Sequence, residues 1–236
     1  MANPVTGAGS ALSEPAIDYV AVKVPSWPFD TFPQADPTLG PRMKATGEVL
    51  AIGANFAQGL CKAYRTLTRG RTLPNREMRT WETRRLWEQV NKPTHLRIEA
   101  ITELLRRSSA TVDEIVRRTH IRRYFIEQLN SIQLAEKYLE EDGPNNGRAA
   151  AAAKRGLSVS QIARASDITI EEAKELLEKE GCTTGYREVD GCAGEFPSCS
   201  GYYYGVCGKG NDPYEKHSGG IVVIGSGAIR IAQGVE

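Results

Sequence analysis

At 236 residues, with 40% hydrophobic and 25% charged side chains, the chain suits one large or two smaller soluble domains. Mean hydropathy is −0.39 and no apolar run approaches the roughly 20 residues of a membrane span, which excludes a membrane-embedded or fibrous protein; no basic-then-apolar leader opens the chain, so a cytoplasmic location is expected. The net charge of +1 conceals a division: residues 1–61 carry 3 basic and 5 acidic side chains, residues 62–130 carry 16 and 8, and residues 131–236 carry 11 and 16. A basic middle beside an acidic tail fits either nucleic-acid binding or complementarity between segments or subunits. The second is favoured, because the arginines alternate with apolar helical positions.

In chain order, Asp18–Val24 is β-branched and apolar and stops at Pro25, which predicts a buried strand. Ser26–Pro41 contains Pro28, Pro33, Pro37 and Pro41, which have no backbone donor, so it is expected to be a loop. Thr46–Gly53 is apolar again, and Asn55 is placed to cap a helix through Phe56, Leu60 and Tyr64.

From about Trp81 to Gly181 the pattern is helical. Thr94, Thr111 and Thr169 sit where N-cap hydroxyls would, and Thr111–Glu114 and Thr169–Glu172 have capping-box spacing. Ile121, Phe125, Leu129, Ile132 and Leu139 fall on one face of a helix ended by Asp142-Gly143-Pro144, which predicts a helix–helix core. Gly156–Leu177 has a helix-turn-helix pattern gathering Ile162, Ala163, Ile168, Ala173 and Leu176. Its second helix carries Glu171, Glu172, Glu175, Glu178 and Glu180 against Lys174 and Lys179, a balance that phosphate would repel, so DNA recognition is not expected.

Beyond Gly181 the chain is rich in Gly, Cys and Tyr. Cys182, Cys192, Cys199 and Cys207 are separated by nine, six and seven residues, whereas zinc ligands come in closer pairs, so these residues and Cys61 are expected as free thiols with no metal site. Ile221–Ile224 followed by Gly225-Ser226-Gly227 has the pattern of a buried strand opening a Rossmann-like unit. Arg230 stands where the nucleotide fingerprint wants its third glycine. It suits either an anion near a helix start or a surface carboxylate.

Taken in order, Glu14–Pro25 and Met43–Gly53 resemble the end of the first ATP-grasp unit of the large subunit of carbamoyl phosphate synthetase. Tyr186–Phe196 with Tyr202–Tyr204, and then Gly225–Glu236, resemble that family's join into its second half. The helical region between them matches the oligomerisation domain by position and helix pattern. The resemblance implies a mixed, predominantly α fold: residues 1–64 as the tail of an ATP-grasp domain, 65–185 as a helical oligomerisation domain with linker, and 186–236 as the Rossmann-like head of the carbamoyl-phosphate half.

It further implies a parent ligase using bicarbonate, ammonia and two ATP, with Mg or Mn and K, a glutaminase small subunit as partner, and self-association through the helices. The active sites would lie outside this stretch, leaving no catalytic, cofactor or metal residue within it. Glu48, Gly234 and Glu236 match positions lining the carbamate tunnel: the carboxylates would orient small polar species and the glycine would keep the bore open.

Overall fold

The computed structural model describes residues 7, 9–10, 12, 14–67, 72–196, 200–208 and 219–223. It is mainly helical with two small antiparallel sheets. Strand β1 (Val20–Ser26) pairs with β2 (Gly47–Gly53), Val22 facing Ala51 and Val24 facing Val49. The strand continues through Pro25, which a short ribbon tolerates near its end. Of β1 only Val22 is buried, while Ala21 and Lys23 are exposed, so the expected buried strand is half-buried. Within the proline-rich loop, Pro28–Asp30 forms a single 3-10 turn, because proline fits the first helical position; its buried Phe29 lies 4.8 Å from the His95 ring.

Helix α1 (Phe56–Leu67) begins as expected: the Asn55 Oδ1 accepts from the Gln58 amide at 3.0 Å. It lies close against β1 because residue 59 is glycine; a Cβ there would stand 2.7 Å from Val22 Cγ2. Helices α2 (Thr83–Asn91), α3 (Arg97–Arg106), α4 (Val112–Thr119), α5 (Arg123–Asp142), α6 (Arg148–Lys154), α7 (Val159–Ser166) and α8 (Ile170–Lys179) follow. One hydrophobic core runs from Val22 and Leu60 through Ile101, Ile126 and Ile162 to Leu177 and Cys182. No helix among the described residues is long and apolar enough to cross a membrane.

The cap signals were unequal. Thr169 forms a full capping box with Glu172, and so does Ser158 with Gln161, which the sequence reading did not single out. Thr111 caps α4, but Glu114 pairs with Arg118 and completes no box. Thr94 is not the N-cap: α3 starts at Arg97 after Leu96, and the Thr94 hydroxyl donates to Gln89 Oε1 of α2 at 2.7 Å and accepts from the Leu96 amide at 3.3 Å, holding the turn between the helices.

The buried stripe of α5 also differs from the one its apolar spacing predicts. Ile121 precedes the helix, and Phe125 is 39% exposed, its ring tilted against Phe56 and edge-on to Tyr124. The buried face is Ile126, Leu129, Ile132, Gln133, Glu136 and Leu139. Each fully buried aliphatic side chain there contributes about 1.5–3 kcal/mol. Two of the six are polar, which an apolar pattern does not reveal. Glu136 accepts from Arg76 Nε and Arg79 Nη2, both at 3.1 Å.

Past α8, strands β3 (Thr184–Glu188) and β4 (Tyr203–Cys207) form a hairpin that the sequence reading missed. Its pairing brings Cys207 to Cys182, and the two are joined in a disulfide, contrary to the expected free thiols; Cys61 and Cys192 are free. Ile221, Val222 and Val223 form no strand and are 91%, 88% and 86% exposed, against the expected buried strand, since no neighbouring strand pairs with them among the described residues. Cys199, Arg230 and the Gly225–Gly227 turn lie outside the described residues.

The turn between α6 and α7 packs against α1. Gly156 has φ +98°, and a Cβ there would meet Cys61 Cβ and Gln58 Cα at 2.9 Å. Gly156→Ala is therefore expected to lower stability by about 1–3 kcal/mol, read as a drop in the urea midpoint with unchanged slope. Glu103 in α3 is 2% exposed, and hydrogen bonds from Arg106 and Arg107 outweigh the opposing effect of burial to hold its carboxyl below the ordinary 4.5. A depressed folded-state value means this stabilisation is complete above pH 4.5 and is lost as pH falls through the folded-state value. Wild-type stability should decline below pH 4.5, and Glu103→Gln should flatten that part of the profile.

Candidate functional site

Of the three tunnel candidates, Glu48 alone lies among the described residues; Gly234 and Glu236 fall outside them. Strand alternation puts Val49 and Ala51 inward and Glu48 and Leu50 outward. Glu48 sits opposite Pro25 in the ladder, and its carboxylate receives Lys23 Nζ at 2.6 Å, the two side chains being 57% and 60% exposed.

The same strand forms the wall of a surface cleft of about 530 Å³, lined by Glu48 to Ile52 and by Lys62, Arg65 and Thr66 of α1. Lys62 and Arg65 are about one helical turn apart on α1, and both line the cleft. Lys62 Nζ donates to Ile52 O at 2.8 Å and to Gly205 O at 2.5 Å, and lies 5.8 Å from the Tyr204 ring. Burial, then the neighbouring Arg65 charge, lowers its pKa from the ordinary 10.5. Arg65 donates through Nη1 to Gly156 O at 2.7 Å. Behind them Cys61 is enclosed, and burial pushes its thiol up to about 12 against the opposing Arg65 charge, leaving it an inert core residue.

The cleft is thus lined by Glu48, whose carboxylate reaches solvent beside Lys23 and can orient donors such as water or an amine, and by two cations anchored to backbone carbonyls. No cluster of three or more His, Cys, Asp or Glu able to hold a metal ion occurs among the described residues. In the sequence Lys62 and Arg65 are legible only as charge. Their spacing after the Asn55 cap was the available signal, but the carbonyls they bind lie 10 to 143 positions away.

Residues 48–181 match the family described as carbamoyl-phosphate synthetase large chain, oligomerisation domain. The chain is 39% identical over 236 residues to the carbamoyl phosphate synthase large chain of Caldanaerobacter subterraneus, covering 99% of this chain and 22% of that protein. It is 38% identical over 242 residues to the arginine-specific large chain of Halalkalibacterium halodurans, covering 99% and 23%, and 37% identical over 238 residues to the large chain of Clostridium perfringens, covering 99% and 22%. It thus spans less than a quarter of the length of these relatives.

The exposure of the Lys23–Glu48 pair fixes what Glu48 does for the fold. Glu48→Ala should change stability by no more than about 0.5 kcal/mol, measured by urea unfolding, because exposed pairs contribute little. A functional defect in that variant is then attributable to the cleft.

Proposed function

Since the chain belongs to the carbamoyl-phosphate synthetase large-chain family, we propose that it is the connecting stretch of an ATP-dependent carbon–nitrogen ligase. The parent makes carbamoyl phosphate from bicarbonate, ammonia and two ATP, the ammonia arriving from a glutaminase small subunit. The stretch itself contributes self-association through α2–α8 and a wall of the passage between the two reaction centres. The observation that carries this reading is the alignment of nearly the whole chain with the large chains, with the helical region on their oligomerisation domain.

The described residues do not fit a triphosphate or its metal ions. They hold no metal-binding acid cluster, and the two cleft cations are tied to backbone carbonyls. In this reading ATP, Mg or Mn, and K are bound by parts of the parent outside this stretch. Glu48 suits a passage wall because its carboxylate can present acceptors to small polar species without carrying fold stability.

The nucleic-acid alternative is weaker. Arg76, Arg79, Arg106 and Arg107 are engaged by Glu103, Glu136 and Glu140, while Arg85 and Arg118 lie over Trp81 and Trp87 at 3.4 and 4.3 Å. This leaves much of the basic segment's charge already paired or stacked.

Sedimentation velocity of the chain across a concentration series should show a coefficient that rises with concentration; a single monomeric species throughout would remove the self-association. In the intact large chain, Gly234→Leu should leave bicarbonate-dependent ATP hydrolysis in place while carbamoyl phosphate output falls severalfold. Equal coupling in variant and wild type would overturn the passage assignment.

A further inference from the structure

Cys182 and Cys207, 25 positions apart in sequence, meet with Cα atoms 5.3 Å apart where the β3–β4 hairpin leaves the helices. The two sides of this junction differ in rigidity. Cys182 closes the turn after α8: Gly181, at φ +70°, donates to Glu178 O at 3.0 Å and Cys182 to Leu177 O at 2.8 Å, the paired bonds of a Schellman end. Cys207 ends a two-stranded ribbon, which is marginal by itself. The ribbon's other tethers include the Lys62 bond to Gly205 O, the Tyr19 hydroxyl donating to Asp190 O at 3.3 Å, and a 3.7 Å Asp18–Arg187 pair.

We propose that Cys182 and Cys207 are a reversible thiol–disulfide site that fastens the β3–β4 hairpin to the end of α8, with a small-molecule disulfide of the glutathione type as its oxidant. Cys207 is the entry point, being half-buried where Cys182 is only 7% exposed. The Cys207 thiolate attacks one sulfur of glutathione disulfide, forming a mixed disulfide and releasing one glutathione thiolate. The Cys182 thiolate then attacks the Cys207 sulfur and expels the second glutathione. Both cysteine protons pass to the two glutathiones, so two thiols are oxidised and one disulfide is reduced. Closing the loop holds Gly205 O on Lys62, and hence β4 beside the Glu48 cleft; opening it leaves the hairpin on its weaker tethers.

The test equilibrates the intact protein in graded mixtures of reduced and oxidised glutathione, followed by alkylation, peptide mapping and amide hydrogen exchange. The Cys182–Cys207 cross-link should appear as oxidised glutathione rises and vanish when the ratio is reversed. Amides of residues 184–188 and 203–207 should exchange at least about tenfold faster in the reduced form. Cys207→Ser should exchange fast in both buffers, and Cys192→Ser should follow wild type. If Cys207→Ser does not fold, the wild-type comparison between buffers decides the matter unaided. A cross-link that never forms, that joins Cys192 instead, or that reduced glutathione leaves intact in the native protein would overturn the proposal, as would equal exchange in the two forms.

Discussion

The fold depends on satisfying both ends of α6, a seven-residue alanine-rich helix too short to persist by itself. Three consecutive carbonyls at its C-terminal end are met from α1. Lys154 O accepts from Asn55 Nδ2 at 3.1 Å and Gln58 Nε2 at 3.0 Å, the Cys61 thiol reaches Arg155 O at 3.8 Å, and Arg65 reaches Gly156 O. Its N-terminal end is met by Glu180, whose carboxylate oxygens accept from the Gly147 and Ala150 amides at 2.7 and 2.8 Å. Helix ends leave unpaired donors and acceptors that burial makes expensive. Here groups from far along the chain supply the partners, which places α1, α6 and α8 around one another and positions the cleft side of α1.

Alanine permits that arrangement. With Ala149 and Ala152 buried and almost without side-chain volume, neighbouring helices can pack close to the α6 backbone. Gly59 and Gly156 extend the same logic to the two sides of α1, one against the sheet and one against the α6–α7 turn. The absence of Cβ atoms at these points thus joins the sheet carrying Glu48 to the helical core.

The uneven charge along the chain has a related outcome. The basic middle and acidic tail meet within the molecule: Arg76 and Arg79 surround Glu136 and Glu140, whose carboxylates project from α5. Glu136 is fully enclosed, and removing one member of such a set strands the others in a poorly hydrated place. The uneven charge of the sequence predicts complementarity between segments. It does not identify the partners, because Glu136 lies 60 positions from Arg76.

What the sequence determined by itself were features whose physics is local. The caps at Asn55, Thr111 and Thr169, the stop at Gly143 and the helical run all depend on neighbours within a turn or two. The order of the family segments was also legible without coordinates. Tertiary structure alone decided which polar groups are buried, that Phe125 is exposed while Gln133 and Glu136 are enclosed, and that Thr94 serves a turn. It also decided that Cys182 pairs with Cys207 through a hairpin lacking a strong strand pattern, and that Lys62 and Arg65 are anchored beside Glu48. Each of these rests on a partner tens of residues away, and local spacing carries no information about which distant carbonyl, carboxylate or thiol the fold will deliver.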